Sequence, residues 1–234
     1  GWIISYAVLS HHLRIDWWHM DWHAVWDWVK LSRHAFAIIL TTFAYTGLDI
    51  PLVTLLLSPR DAGIYRAAQA TVGVIVPILA MLPLILYPRL IVWKKQTKQV
   101  FIRNSLTLIA GLSGFALLLS LSSLVWVPIA FKLLLGPEYA GGMWPGIVLV
   151  VAKSVALIGA VPTWGVLAFG LDRVQSRVTL ITAAVSLSAK LLLIPPIGLI
   201  AASGINVVSE LIVVLLSGIV LLKFLHHSWR FEQG

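Results

Sequence analysis

The sequence predicts an all-α polytopic membrane protein, a bundle of six transmembrane helices. Three observations carry that prediction. Of the 234 residues, 59% are hydrophobic and only 11% charged, against roughly 45–50% and about 25% in soluble domains. The apolar residues gather into six runs, each long enough for the about 20 residues a spanning helix needs. None of the runs alternates apolar with polar residues, as barrel strands do. A soluble globular enzyme, a disordered chain and a disulfide-stapled secreted domain are thereby excluded. The chain has no cysteine, which removes thiol redox chemistry and Cys-type metal sites.

The six predicted spans are residues 35–58, 62–93, 106–131, 144–169, 174–196 and 203–225. The second is long enough to tilt or bend. Short polar or Gly/Pro-rich turns separate them: Pro59-Arg60-Asp61, Lys94-Lys95-Gln96-Thr97-Lys98, Gly136-Pro137-Glu138, Gly170-Leu171-Asp172-Arg173, and the stretch from Pro195-Pro196 onward. These divide the chain into residues 1–9, a segment at 10–34, the bundle at 35–225 and a tail at 226–234. Residues 1–9 are apolar but make only about 13 Å of helix. They read as the remnant of a preceding span, or as a short re-entrant or surface segment.

Residues 10–34 differ in kind, carrying five of the eleven tryptophans. On a helical wheel Trp18, Trp22, Val25, Trp26 and Val29 share one face, with His19, His23, Asp27 and Lys30 opposite. Tryptophan favours the headgroup level, so the pattern predicts an interfacial helix. His19 and His23 have i, i+4 spacing, but no Glu follows His19 as a metalloprotease motif requires. No metal site is assigned there.

The formal charge is +8, from 17 Lys and Arg against 9 Asp and Glu. If residues 11–34 are cytoplasmic, twelve of the cations fall on that side and only Arg60, Arg66 and Lys132 on the other. That asymmetry predicts a cytoplasmic C-terminus. The excess charge therefore records orientation and implies no nucleic-acid partner.

Ionisable groups deep in a span are costly and mark functional sites. Asp49, Lys153, Lys190 and Glu210 are such groups. Each lies roughly 14–16 residues from the cytoplasmic end of its span, or roughly 21–24 Å deep. On one reading they line a polar cavity, with Lys153 and Lys190 attracting an anion while Asp49 and Glu210 titrate, gate or bind a coupling cation. On the other, pairs such as Lys190 with Glu210 only hold the bundle together. Arg66 and Arg89 lie nearer helix ends, where their side chains can snorkel; Arg66 is a further substrate-binding candidate. Interior prolines (Pro83, Pro88, Pro162) and the glycines of the fourth span predict kinked, movable helices, a property of transporters. No P-loop, HExxH or paired-carboxylate motif is present. The chain therefore reads as a transporter rather than an enzyme, without a cofactor, powered by an ion gradient or by its substrate's own gradient.

Several motifs carry a family resemblance. Tyr45-Thr46-Gly47-Leu48-Asp49 resembles the seventh span of bacterial polysaccharide and O-antigen flippases, where an Asp follows a Tyr-Thr pair. Asp61-Ala62-Gly63-Ile64-Tyr65-Arg66-Ala67-Ala68 resembles the turn and helix start that follow in that family. Leu133-Leu134-Leu135-Gly136-Pro137-Glu138-Tyr139 is similar to the loop before the tenth span. The stretch from Leu193-Ile194-Pro195-Pro196-Ile197-Gly198 to Ser203 resembles a later turn, with Glu210 in the Ser-Glu pattern after it. Order and spacing agree across residues 31–223. Lys190 stands where many members carry Asn or another polar residue, and Ile200 replaces the second Gly of the turn.

The resemblance is to the C-terminal half of a member of the multidrug/oligosaccharidyl-lipid/polysaccharide exporter superfamily. It implies one six-helix lobe of a twelve-helix, V-shaped, alternating-access flippase in the bacterial inner membrane. The implied substrate is an undecaprenyl-pyrophosphate-linked oligosaccharide for surface polysaccharide or O-antigen. Membrane lipids, a polysaccharide polymerase and assembly proteins are the implied partners. Lys153, Lys190 and Arg66 would contact the pyrophosphate. A cation-coupled multidrug antiporter of the same superfamily, a membrane-embedded enzyme of lipid-linked glycan assembly and a structural bundle are the alternatives.

Overall fold

The computed structural model of the protein describes residues 22–227, which are helical almost throughout and contain no strand. Residues 1–9, His19 and nearly all of the tail lie outside the described residues. Six helical stretches are long and apolar enough to cross a membrane: Ser32–Leu56, Val76–Lys94, Lys98–Leu135, Pro137–Ala168, Asp172–Ile197 and Leu199–His227. The protein is thus an all-α, multi-pass bundle, as its composition predicts.

Helix α1 (Trp22–Thr46) includes the described end of the Trp-rich segment and runs without a break into the first span. Trp22, Trp26 and Val29 are exposed. The described part of that segment is therefore helical and continuous with the first span. Within the first span the helix is interrupted. α1 stops at Thr46, the Gly47 N–H closes on the Phe43 carbonyl at 2.7 Å, and a second helix, α2 (Asp49–Leu56), begins two residues later.

The second predicted span also resolves into two helices rather than one bent one. α3 (Pro59–Thr71) is started by Ser58, whose hydroxyl accepts the Asp61 backbone N–H, and by Pro59 in its first turn, where the missing proline N–H leaves nothing unpaired. After a 3-10 turn at Val72–Val74, α4 (Val76–Lys94) continues with Pro77 in its own first turn. α5 (Lys98–Ala130) follows, then a tight turn through Gly136, then α6 (Met143–Ala168), α7 (Asp172–Ile197) and α8 (Leu199–His227). α6 and α7 end at Gly170 and Gly198, both at positive φ.

α6 is the most enclosed helix and packs most extensively on α8. Two glycines explain the close approach: a Cβ at Gly159 would meet Val214 at 2.7 Å, and one at Gly165 would meet Leu221 at 2.9 Å. Two apolar clusters result. One joins Val53, Tyr65, Val127, Val150 and Ile205, and the other joins Leu90, Phe101, Val161, Phe169 and Leu221. The charged residues of the bundle interior lie between the helices that these clusters hold.

Candidate functional site

The four intramembrane charges form two ion pairs, and neither is the Lys190–Glu210 pair that adjacency in sequence suggested. Lys190 Nζ lies 2.5 Å from Asp49 Oδ1, while Lys153 Nζ lies 3.7 Å from Glu210 Oε1. Asn206 and Glu210 are one turn apart on α8, so the pairs sit at neighbouring levels about 6 Å apart along the helices.

The Asp49–Lys190 pair is sealed. Lys190 is fully buried and Asp49 almost so. An ammonium has three donors, and Lys190 places all three, on the Tyr45 carbonyl (2.5 Å), Asp49 Oδ1 and Asn206 Oδ1 (2.9 Å). The other carboxylate oxygen of Asp49 accepts from Tyr65 Oη (2.9 Å) and Asn206 Nδ2 (2.6 Å). The Tyr45 carbonyl belongs to the last turn of α1, whose final carbonyls lose their intrahelical partners. The break at Gly47 thus exposes an acceptor that Lys190 reaches. One network ties together α1, α2, α3, α7 and α8. It leaves no ammonium donor for a ligand, so in this conformation Lys190 holds helices together and does not face a cavity.

The Lys153–Glu210 pair is open. Both residues line a cavity of about 330 Å³ between α1, α4, α6, α7 and α8, and their side chains retain 21% and 10% exposure. Thr42 and Tyr45 contribute from α1, Trp164 from α6, and Gln175 and Thr179 from α7. The size suits a small ligand or part of a larger one. Gln175 is completely buried. Ser217 donates to its Oε1 at 3.0 Å, and its Nε2 has no hydrogen-bond partner. Thr179 is held by a 2.8 Å bond from Thr41. The wall therefore offers one cation, one anion, hydroxyls, an amide and an indole.

Arg66 does not line this cavity. It is exposed on α3, next to the buried Tyr65. The structure brings Lys153 and Glu210 together at the cavity and places Asp49 and Lys190 behind it. Tyr65, Asn206 and Gln175 are participants that composition and charge alone did not single out. A signal for Gln175 was present: Gln175, Thr179, Thr182, Ser186 and Lys190 recur every three or four residues along α7, and all are buried.

Among known proteins, the chain matches no family model, no curated protein and no solved structure.

Proposed function

We propose that the protein is a transporter that flips an undecaprenyl-pyrophosphate-linked oligosaccharide across a bacterial inner membrane by alternating access, for surface polysaccharide or O-antigen assembly. On this reading the six described spans form one lobe of a V-shaped carrier whose C-terminus is cytoplasmic. The observation that carries it is the cavity: a lysine at membrane depth beside threonine hydroxyls, an amide and Trp164. A lysine suits a pyrophosphate group, and hydroxyls, amide and indole suit sugar rings. The antiporter alternative calls for an acidic cavity, whereas the described wall has one Lys for its one Glu. The resemblance in motif order from Tyr45 to Glu210 supports the substrate class.

The test is flipping of a fluorescent, short-chain, lipid-linked oligosaccharide in proteoliposomes. Lys153→Ala, folded by gel filtration, is expected to lose flipping. Wild-type flipping by this variant overturns the assignment. Arg66→Ala is expected to flip normally, because Arg66 is outside the cavity.

A further inference from the structure

The 3.7 Å separation of Lys153 and Glu210 is longer than a hydrogen bond. Among the described residues, neither has another ion pair. The cavity wall thus holds one ammonium and one carboxylate, close enough to neutralise each other and too far apart to be locked.

We propose that the Glu210 carboxylate is a resident anion on Lys153, and that an incoming anionic group takes its place while Glu210 accepts a proton. This rests on the anionic-substrate reading of the cavity given above. The cost of a net charge in the membrane interior drives the coupling. The empty cavity pair sums to zero. An added monoanion without a proton leaves a net negative charge at membrane depth, which is costly. With one proton on Glu210 the sum returns to zero: Lys153 pairs with the ligand, and the displaced carboxyl stays neutral.

The other charges around Glu210 do not supply the missing positive charge. Lys153 faces it from α6 and Tyr45 from α1. Lys190 on α7 bonds Asn206, one turn before Glu210 on α8, but it is already paired to Asp49 of α2 and has all three donors placed. On α8 itself no other ionisable residue precedes Lys223. One proton is therefore taken up from the aqueous phase for each anion bound, and the carrier is pH-gated at this pair.

The experiment is isothermal titration of the full chain in lipid nanodiscs with methyl sulfate, a monoanion that does not itself titrate between about pH 5 and pH 8. Linkage sets the slope, since binding that takes up one proton strengthens by up to about tenfold for each pH unit lowered. The expected results are that slope in the wild type, one proton taken up per anion when buffers of different ionisation enthalpy are compared, and no binding to Lys153→Met. Glu210→Gln is expected to bind at least tenfold more tightly than wild type at pH 8, with no pH dependence. A wild-type affinity that is flat with pH, or a Glu210→Gln protein that binds no more tightly than wild type, overturns the proposal. The wild-type series decides alone if Glu210→Gln does not fold. Methyl sulfate exchange that follows these rules beside a failure to flip lipid-linked glycan supports the exchange and faults only the glycan reading.

Discussion

The two ion pairs differ in everything except composition. Each joins a lysine to a carboxylate on another helix inside the bundle. The Asp49–Lys190 pair is buried, saturated by Tyr45, Tyr65 and Asn206, and placed where α1 breaks. The Lys153–Glu210 pair is half-open, longer, and on a cavity wall. A lysine at membrane depth is therefore not a binding residue by residue type alone. What decides its role is whether its donors are already spent. The sealed pair fixes five helices against each other, and the open pair sits on a cavity wall with no third group bound to either member among the described residues.

Breaking the sealed pair tests that contrast most severely. Lys190→Ala strands the Asp49 carboxylate with no counter-ion in a buried site. Removing one partner of a buried pair costs about 3–5 kcal/mol. Denaturant titration of the protein in mixed micelles is expected to show a loss of that size, or no recoverable folded protein. The double variant Asp49→Asn, Lys190→Met removes both charges at similar volume and is expected to recover most of the stability. Equal losses in the single and double variants would show that Lys190 acts through packing alone.

Much of this contrast was legible in the sequence, and the missing part has a physical cause. Composition and run length gave six spans, and the turns at Gly136, Gly170 and Gly198 lie where Gly and Pro cluster. The helix breaks at Gly47 and at Val72–Val74 were not resolved, because the polar residues and the Gly and Pro around them (Gly47 and Pro51, Gly73 and Pro77) are also tolerated inside a continuous span and hydropathy does not register backbone geometry. The depths of Asp49, Lys153, Lys190 and Glu210 were also readable, but not their partners. Residues one turn apart in depth are indistinguishable when span ends are uncertain by a turn. The partner is set by which faces meet, and that depends on helix packing. Asn206, one turn before Glu210 on the same face of α8, is what diverts Lys190 toward the sealed side.

The α6–α8 seam positions the open pair, and Gly159 controls the seam. Val214 is β-branched and stiff at χ1, so a Cβ placed at 2.7 Å from it cannot be absorbed by a rotamer change. Gly159→Ala is expected to cost about 1–3 kcal/mol by overpacking, with Val214→Ala restoring most of it in the double variant. Because Lys153 is on α6 and Glu210 on α8, the same shift is expected to separate the open pair and strengthen anion binding, while the Asp49–Lys190 network, which has no member on α6, survives. Unchanged stability in Gly159→Ala would mean that the two helices have slack at this point.

A smaller effect belongs to the cavity's polar wall. Ser217→Ala removes the only hydrogen bond to Gln175 Oε1 among the described residues, beside an Nε2 already without a partner. A net loss of about 1 kcal/mol is expected. Replacing both groups, as Ser217→Ala with Gln175→Met, leaves no unpaired polar atom at these two positions and is expected to lie near the wild type. A double variant as unstable as the single one would show that Gln175 is held by packing and not by Ser217.

The smallest expected stability effect falls on the residues with the largest proposed functional one. Lys153→Met with Glu210→Gln removes the open pair at similar volume. Both side chains keep contact with the cavity, and their 3.7 Å separation gives no hydrogen bond to lose. Replacing both members of a buried pair at similar volume is often neutral or stabilising, so the unfolding free energy is expected to stay within about 1 kcal/mol of the wild type. Anion binding and flipping are expected to disappear, since no cation remains on the wall. A loss of several kcal/mol in this variant would give the open pair a structural role of its own and count against a ligand site. Stability near the wild type together with lost binding would separate the two pairs by function, as their exposure and hydrogen bonding already separate them by geometry.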